Sequence, residues 1–175
     1  MKKQTDYLEE VGLLVRGLER LGLNPVLVGG MALVIMGSRR VTRDFDFLIS
    51  LKEEAREKML DLFYERGFEL ASLMNQQGDI MTTIDNRKVA AIRLKLDSPP
   101  SAFFLNRNTG LRIDLLFDFP FPASEIASRS KKIRVRSHSL PVASRKDLLR
   151  LKEIAHSNRH LAADAEDLEF LRKKK

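Results

Sequence analysis

The sequence contains no cysteine and no tryptophan, and its apolar runs are short. Without cysteine, the chain forms neither disulfide bonds nor thiolate metal sites, which is compatible with a reducing compartment. No apolar stretch approaches the roughly 20 residues that a membrane-spanning helix needs. The first residues, MKKQTDYLEE, are basic and polar, without the apolar segment of a secretory signal. We therefore expect a cytoplasmic protein with no membrane partner.

Charge, in contrast, is abundant and unequal in sign. Lysine and arginine number 31 against 24 aspartates and glutamates, which gives a formal net charge of +7. A basic chain favours polyanionic partners such as nucleotides, RNA or an acidic protein. At 175 residues and 43% hydrophobic composition, the chain is long enough to build the core of one globular domain.

The first third of the chain alternates predicted helices and strands. A first helix, capped by Thr5 or Asp6, is expected from apolar residues at helical spacing. PVLVGG predicts a buried strand that ends at a glycine pair, and MALVIMG predicts a short helix closed by Gly37. DFDFLIS predicts a second strand, and KEEAREKMLDLFYERGF predicts an amphipathic helix.

The rest of the chain predicts further strands and a closing pair of helices. The segments VAAIRLKLD, LRIDLLFDF and KKIRVRSH alternate as strands do, and SPPSAFFLNRNTG is expected to be a loop or hairpin connection. SRKDLLRLKEIAHS and LAADAEDLEFLRKK predict the helical pair. The mixture indicates an α/β (α+β) fold around one mixed sheet. Residues 1–143 are the expected core, and residues 144–175 are an expected C-terminal helical extension packed on it as a single compact unit.

Aspartates interrupt two of the predicted strands. Because strand side chains alternate, Asp44 and Asp46 point to one face, about 7 Å apart, while Phe45 and Phe47 point to the core. Asp114 is the only acid in the middle of LRIDLLFDF and lies opposite its core-facing residues. Carboxylates this close repel one another unless a cation lies between them, and Mg²⁺ prefers oxygen ligands of this kind. The three aspartates are therefore the candidate catalytic and metal-binding residues.

The glycine pair precedes the first two aspartates. Gly29 and Gly30 end a strand at the beginning of a helix, where free backbone N–H groups can bind phosphate. Arg39, Arg40 and Arg43 follow in a basic loop. A glycine pair alone is usually only a turn, and Asp-Phe-Asp alone is more often an exposed strand edge. Their order along the chain instead indicates metal-assisted phosphoryl or nucleotidyl transfer.

This order resembles the polymerase-β-like nucleotidyltransferase superfamily. Its signature is an apolar residue, Gly, Gly or Ser, a spacer, and then Asp-x-Asp, which VGG and DFDF match. Asp114 in RIDLLF matches the third acid of that superfamily. The string GGMALVIMGSRRVTRDFD is similar to the AbiEii-like abortive-infection toxin nucleotidyltransferases, because Arg40, Thr42, Asp44 and Asp46 match their Arg-x-Thr-x-Asp-x-Asp run.

The closing helices resemble the same group. Lys152, Arg159, Asp164 and Asp167 match its Lys, Arg and Asp-x-x-Asp pattern, although Ala163 stands where a lysine is common. The resemblance implies that a set of residues from both regions contacts the nucleotide and its phosphates. That set is Gly29, Gly30, Arg40, Thr42, Lys152 and Asp164.

The resemblance also implies an activity. The protein would be a Mg²⁺-dependent nucleotidyltransferase that moves a nucleoside monophosphate from a nucleoside triphosphate to an acceptor hydroxyl. Asp44 and Asp46 would hold two Mg²⁺ ions, and Asp114 would complete the second metal site and assist the acceptor hydroxyl. The acceptor would be an RNA end, in a toxin–antitoxin setting with a cognate antitoxin protein, or else a protein or a small molecule. The alternatives are a catalytically inactive nucleotidyltransferase fold that serves as a binding module, and a metal-dependent nuclease.

Three weaker signals remain. Lys132, Arg134 and Arg136 share one face of a predicted strand, where they either follow a nucleic-acid backbone or are simply solvated. Arg93 and Lys95 form a similar pair, and they would reach a triphosphate if their strand neighbours that of Asp114. Finally, two histidines, at positions 156 and 160, have the spacing of a zinc-chelating pair. With no third ligand evident, a surface role is expected for them instead.

Overall fold

The computed structural model describes residues 6–173, which form an eight-stranded mixed sheet flanked by helices. The strands are β1 (Val26–Val28), β2 (Phe45–Ile49), β3 (Phe68–Met74), β4 (Ile80–Ile84), β5 (Ser101–Asn106), β6 (Arg112–Phe117), β7 (Lys131–Val135) and β8 (His138–Val142). The helices are α1 (Tyr7–Arg20), α2 (Gly29–Ile35), α3 (Arg56–Glu65), α4 (Arg87–Asp97), α5 (Ala123–Ser128), α6 (Arg145–Arg159) and α7 (Ala162–Arg172). A short 3₁₀ turn, Glu53–Ala55, precedes α3. The order of strands in the sheet is β4-β3-β5-β6-β2-β1-β8-β7.

The four central strands bring one row of residues side by side. Val28 of β1 pairs with Asp46 of the antiparallel strand β2. Asp46 pairs with Asp114 of the parallel strand β6, and Asp114 pairs with Phe103 of the antiparallel strand β5. Paired residues of neighbouring strands present their side chains on the same face of a sheet. We call this set of four the central row, and it positions the candidate site.

Helix α1 forms as its apolar spacing predicts. The carboxylate of Asp6 accepts hydrogen bonds from the backbone N–H groups of Leu8 and Glu9, at 3.1 and 3.3 Å, and so caps the helix. Its apolar stripe, including Val11 and Val15, is buried in the core. The alternative cap, Thr5, lies outside the described residues.

The prediction of a strand over VAAIRLKLD is wrong, because this segment belongs to helix α4. Its side chains alternate in polarity over a short stretch, which mimics a strand. In the structure Ala90, Ala91 and Leu94 are buried on one helical face, while the apolar Ile92 points outward and is 59% exposed. The side chain of Asn86 caps the helix by accepting a hydrogen bond from the N–H group of Val89 at 3.2 Å.

The prediction that SPPSAFFLNRNTG is only a connection is also wrong, because strand β5 lies within it. Burial alternates along the strand, with Ala102, Phe104 and Asn106 buried. The two prolines precede the strand rather than interrupt it, since they stand at positions 99 and 100. Strands β3, β4 and β8 have no counterpart among the predicted elements. Of these, β4 has no fully buried residue, so its sequence carries little periodic signal.

The closing helices α6 and α7 form as predicted and pack against each other, and α6 also contacts α2. This arrangement places α6 beside the beginning of α2 and the central row. In the part of the chain that the structure describes, no helix combines the length and the apolar character needed to cross a membrane.

Candidate active site

The turn from β1 into α2 lies directly against Asp46. Gly29 has a φ of +70°, a conformation that residues with a side chain rarely adopt. A Cβ atom at this position would also overlap the Oδ2 atom of Asp46. Position 29 therefore requires glycine for two reasons: its positive φ and the close approach of the Asp46 carboxylate.

Three aspartates form what we call the carboxylate cluster: Asp44, Asp46 and Asp114. Burial, together with the negative charges of Asp114 and Asp44, raises the pKa of Asp46 to about 7. Burial also raises the pKa of Asp114, which lies close enough to Asp46 for the two carboxyl groups to share a proton. Full ionisation of the cluster is therefore unfavourable unless a positive charge joins it.

Sequence reasoning missed Arg112, which holds the third aspartate. Its Nε atom donates to Oδ1 of Asp114 at 2.7 Å, and its Nη2 atom donates to Oδ2 at 3.0 Å. Its Nη1 atom donates to the carbonyl oxygen of Gly78 in the β3–β4 turn at 2.7 Å. The arginine opposes the effect of burial on the pKa of Asp114. The signal was available, because residues two positions apart on a strand share one face.

The carboxylate cluster fits a hard divalent cation by its chemistry. Among residues 6–173, no group of three histidine, cysteine, aspartate or glutamate side chains lies close enough together to form a ready-made metal site. The donor set nevertheless consists of carboxylate oxygens, which Mg²⁺ prefers, and substrate phosphates commonly complete its coordination. The raised pKa of Asp46 marks a position where a cation would relieve repulsion. Asp44, Asp46 and Asp114 are the residues that would hold it.

The predicted nucleotide contacts of the closing helices belong to what we call the ionic cluster: Arg40, Lys152, Arg159, Asp164 and Asp167. The Nζ atom of Lys152 lies 2.8 Å from Oδ2 of Asp167 and 3.2 Å from Oδ1 of Asp164. Arg159 pairs with Asp164 at 3.0 Å, and Arg40 pairs with Asp167. Asp164 and Asp167 are each only 2% exposed. Their carboxylates are thus occupied by cations of the protein itself.

The ionic cluster reaches back to the glycine pair through Arg40. A Cβ atom at Gly30 would lie 2.8 Å from the Cζ atom of Arg40, so the guanidinium covers this glycine closely. Arg39 and Arg43 of the same basic loop are exposed, whereas Thr42 is partly buried. Arg40 therefore differs from Arg39 and Arg43, because it forms an ion pair with Asp167 of α7 while they are exposed.

A cleft of about 440 Å³ lies between the central row and α6. Four of the predicted site residues line it: Gly29, Asp46, Asp114 and Lys152. Arg159 adds a second cation from the end of α6. The remaining lining is mostly apolar, and we call this part the apolar wall; it includes Phe103, Leu116, Phe119, Leu151, Ile154 and Ala155. Volume and lining are those of a small-molecule site.

The condition under which Arg93 and Lys95 would reach a triphosphate, a strand next to that of Asp114, is not met. Both residues lie on α4, and Arg93 forms an ion pair with Asp97 on the same helix at 2.5 Å. The strand next to β6 on that side is β5. Its residue opposite Asp114 is Phe103, so an aromatic ring occupies the position expected for a cation.

The two histidines of the last turn of α6 lie close together without forming a metal site. The rings of His156 and His160 are 5.8 Å apart and nearly perpendicular. His160 adopts a left-handed conformation and ends the helix, so the regular helical spacing is interrupted between them. No third metal-binding side chain joins them within the described range 6–173.

Comparison with known proteins identifies the fold. No model of a protein family matches the sequence, and no curated protein matches it. Solved structures do share its architecture. The antibiotic-resistance factor ANT(2'')-Ia has a TM-score of 0.60 at 10% identity, with 97% of this chain and 84% of that chain covered. The lincosamide antibiotic adenylyltransferase LnuA, bound to lincomycin, has a TM-score of 0.56 at 14% identity, with 94% and 96% covered.

A third structure is an antigenic nucleotidyltransferase-like protein from Paracoccidioides brasiliensis. It has a TM-score of 0.55 at 16% identity, with 96% of this chain and 76% of that chain covered. At such identities the likeness concerns the fold. The chain has the nucleotidyltransferase fold that its motifs predicted, with a mixed sheet and a C-terminal helical pair, while particular closeness to the AbiEii-like group stays a prediction.

Proposed function

We propose that this protein is a Mg²⁺-dependent nucleotidyltransferase, which transfers a nucleoside monophosphate from a nucleoside triphosphate to an acceptor hydroxyl. The observation that carries the proposal is the central row. It sets Val28, which directly precedes Gly29 of the β1–α2 turn, beside Asp46 and Asp114. Gly29, Asp46 and Asp114 line one cleft, with Lys152 facing them from α6. Phosphate-binding backbone, acidic residues and a cation thus meet within a small volume on a fold shared with nucleotidyltransferases.

The proposed reaction is an in-line displacement at the α-phosphorus. The oxygen of the acceptor hydroxyl forms a bond to the α-phosphorus, and the bond from that phosphorus to the oxygen that bridges to the β-phosphate breaks. Pyrophosphate leaves with that oxygen, and the hydroxyl proton passes to a carboxylate oxygen of Asp114. Such a transfer requires mainly positioning and charge neutralisation from the protein.

Each wall of the cleft has its own role in this reaction. Backbone N–H groups at the start of α2, together with Lys152 and Arg159, bind the phosphates. Mg²⁺ held by Asp44, Asp46 and Asp114 would neutralise the charge that develops on the attacking and leaving oxygens. Arg112 keeps the carboxylate of Asp114 in place through its two hydrogen bonds.

The finer assignments rest on the sequence and on the resemblance, and they stay predictions. They are transfer to an RNA end, a toxin–antitoxin setting with a protein antitoxin, two Mg²⁺ ions, a cytoplasmic location and a division between residues 143 and 144. Arg40, Thr42 and Asp164 as nucleotide contacts belong to the same group. For Asp164 the burial of its carboxylate favours an indirect role, namely to hold Lys152 and Arg159.

The test is to incubate the protein with each α-labelled nucleoside triphosphate, Mg²⁺, total RNA and hydroxyl-bearing small molecules. Pyrophosphate release and the destination of the label are then measured. We expect label on an acceptor and stoichiometric pyrophosphate, both lost on removal of Mg²⁺. The matched variants are Asp46→Asn, which should abolish transfer, and Asp85→Asn, which removes one charge from an exposed loop and should not.

The same experiment separates the alternatives. Nucleotide binding without transfer to any acceptor would indicate a binding module that has lost its activity. Release of shorter RNA without incorporation would indicate a nuclease. Failure to bind any nucleoside triphosphate would contradict the proposed function itself.

A further inference from the structure

The order of residues along the central row distinguishes a phosphate side of the cleft from an acceptor side. Gly29, which follows Val28 at the end of β1, marks the phosphate side. Asp46 comes next, on β2, and Asp114 follows on β6. Because Asp114 is the carboxylate that accepts the hydroxyl proton in the proposed function, the acceptor approaches from the side of β6 and β5, away from the phosphates.

What lies on that side is apolar and aromatic. Phe103 is the cross-strand partner of Asp114, and it lines the cleft together with Leu116, which shares the strand face of Asp114. Helix α6 closes the same region with Leu151 and Ile154. The ring of Phe119 adds an apolar group that is 54% exposed. A molecule that reaches Asp114 must therefore lie against this apolar wall.

Arg112 is a cation next to this wall, and it is already bound by the carboxylate of Asp114 and the carbonyl oxygen of Gly78. The cations on the opposite wall are bound as well. Lys152 and Arg159 are bound by Asp164 and Asp167 on the α6 wall. The row of exposed basic residues formed by Lys132, Arg134 and Arg136 begins on β7, which is five strands from β5. At about 4.8 Å between strands this separation is about 24 Å across the sheet. A nucleic acid needs cations along its backbone, and here the basic row lies beyond the phosphate side.

We infer that the acceptor is a small hydroxyl-bearing molecule with a flat, apolar body, which packs on Phe103 and Leu116 beside Asp114. This inference rests on the proposed function and narrows its acceptor. The Cζ atom of Arg112 lies 5.2 Å from the centre of the Phe103 ring. Arg112 therefore contacts both Phe103, the proposed aromatic platform, and Asp114, the carboxylate that it orients.

The first experiment compares acceptors. Wild-type protein, Mg²⁺ and α-labelled nucleoside triphosphates are incubated with naphthalen-2-ylmethanol, with the polar alcohol glucose and with total RNA. We expect label on naphthalen-2-ylmethanol in preference to the other two. Label on RNA or on glucose in preference to the aromatic alcohol overturns the inference while the proposed function stands. Absence of nucleotide binding overturns both.

The second experiment uses two matched phenylalanines. Phe103→Ala removes the platform, whereas Phe170→Ala removes a similarly half-buried ring on α7 that is likewise covered by an arginine, Arg145, at 5.1 Å. For Phe103→Ala we expect about a tenfold rise in the KM of naphthalen-2-ylmethanol, the effect of losing an aromatic stacking partner. The KM of the nucleotide should stay unchanged, and Phe170→Ala should change neither value. A rise in the nucleotide KM instead would assign the apolar wall to the nucleobase and overturn the inference.

Binding provides a readout that does not need turnover. Saturation-transfer NMR of naphthalen-2-ylmethanol should detect contact with the wild-type protein and with Phe170→Ala, and the signal should fall in Phe103→Ala. Circular dichroism checks that both variants are folded, and Phe103→Leu replaces the alanine variant if it is not. No contact with the wild-type protein, or equal contact in a folded Phe103 variant, overturns the inference.

Discussion

The carboxylate cluster and the ionic cluster differ in how their charges are compensated. Asp46 and Asp114 of the first and Lys152 and Arg159 of the second line the same cleft. In the carboxylate cluster, three acids converge, and burial raises the pKa of Asp46 and of Asp114. In the ionic cluster, Asp164 and Asp167 are more deeply buried, yet each accepts ion pairs from two cations. The two clusters therefore differ less in burial than in how far positively charged side chains neutralise their carboxylates.

This difference has a physical interpretation. A buried charge with complete partners contributes to the stability of the fold, because its removal leaves the partners unpaired. A group of like charges without sufficient partners destabilises the fold and becomes favourable only when a ligand supplies the missing charge. We therefore expect mutations of the carboxylate cluster to affect mainly activity. Mutations of the ionic cluster should affect stability, and at Lys152 and Arg159, which line the cleft, also phosphate binding.

The largest effect is expected for Asp46→Asn. Transfer should fall by on the order of 10³-fold, because a ligand of the cation that neutralises the transition state is lost. Above the raised pKa the ionised carboxylate destabilises the fold, so the neutral amide should leave the melting temperature unchanged or raise it by about 3 °C per kcal/mol of repulsion removed. Labelled-nucleotide transfer and thermal denaturation measure the two quantities. A clear loss of stability would mean that Asp46 is a structural residue.

Lys152→Met should lower both stability and phosphate binding, because Lys152 pairs with two buried carboxylates and also lines the cleft. The substitution leaves two buried carboxylates with fewer partners, at a cost of about 3 kcal/mol, which corresponds to a fall of about 9 °C in melting temperature. Lys146→Met serves as the control, because Lys146 is an exposed lysine on the same helix. A melting temperature equal to that of the control would remove the distinction between the two clusters.

A mutation of Asp147 tests whether a buried carboxylate that is paired with arginine makes the stability of the protein depend on pH. It is fully buried at the start of α6, and its hydrogen bonds with Arg129 keep its pKa below the ordinary value. Its contribution to stability is therefore present above the unfolded pKa of about 3.9 and is lost as the pH falls through the lower folded pKa. Asp147→Asn should destabilise the protein by about 2 kcal/mol at pH 7 and make the melting temperature less dependent on pH below about 4. Parallel curves for variant and wild type would contradict this prediction.

The smallest effect is expected from the exposed basic row on β7. Lys132 and Arg134 lie on the outer strand of the sheet, and Arg136 lies in the turn that follows it. Exposed surface charges of this kind contribute little to stability. Replacing Lys132, Arg134 and Arg136 together by glutamine should change transfer to a small acceptor by less than about twofold and the stability by less than about 1 kcal/mol. RNA affinity that falls in the triple variant, with a salt slope flatter by about two units, would instead favour a nucleic-acid acceptor.

Much of the candidate site could be predicted because its signals are local. The alternation of Asp46 with two buried phenylalanines identifies its strand face without any knowledge of the rest of the fold. The glycine pair and the helix after it are likewise adjacent in the chain. Arg112 was not predicted, although it precedes Asp114 by two positions and therefore shares its strand face.

The errors arose where local patterns were ambiguous. VAAIRLKLD alternates in polarity and also has helical spacing, and only packing of Ala90 and Leu94 against the core selected the helix. The two prolines before Phe103 indicated a loop, yet they lie outside strand β5, which pairs on both sides within the sheet. The apolar wall therefore remained hidden, since one of its main residues lay in a segment expected to have no regular structure.

The sequence by itself determined which residues carry charge, which strand face each aspartate occupies and where the glycine turn falls, because these depend on neighbours along the chain. Only the tertiary structure decided that Asp114 pairs with Asp46 and not with a residue of another strand, and that Phe103 pairs with Asp114 on its other side. Strand register is chosen by the burial of whole apolar faces across the sheet, which no single segment encodes. The same packing buried Asp164 and Asp167 among cations and left the carboxylate cluster short of them.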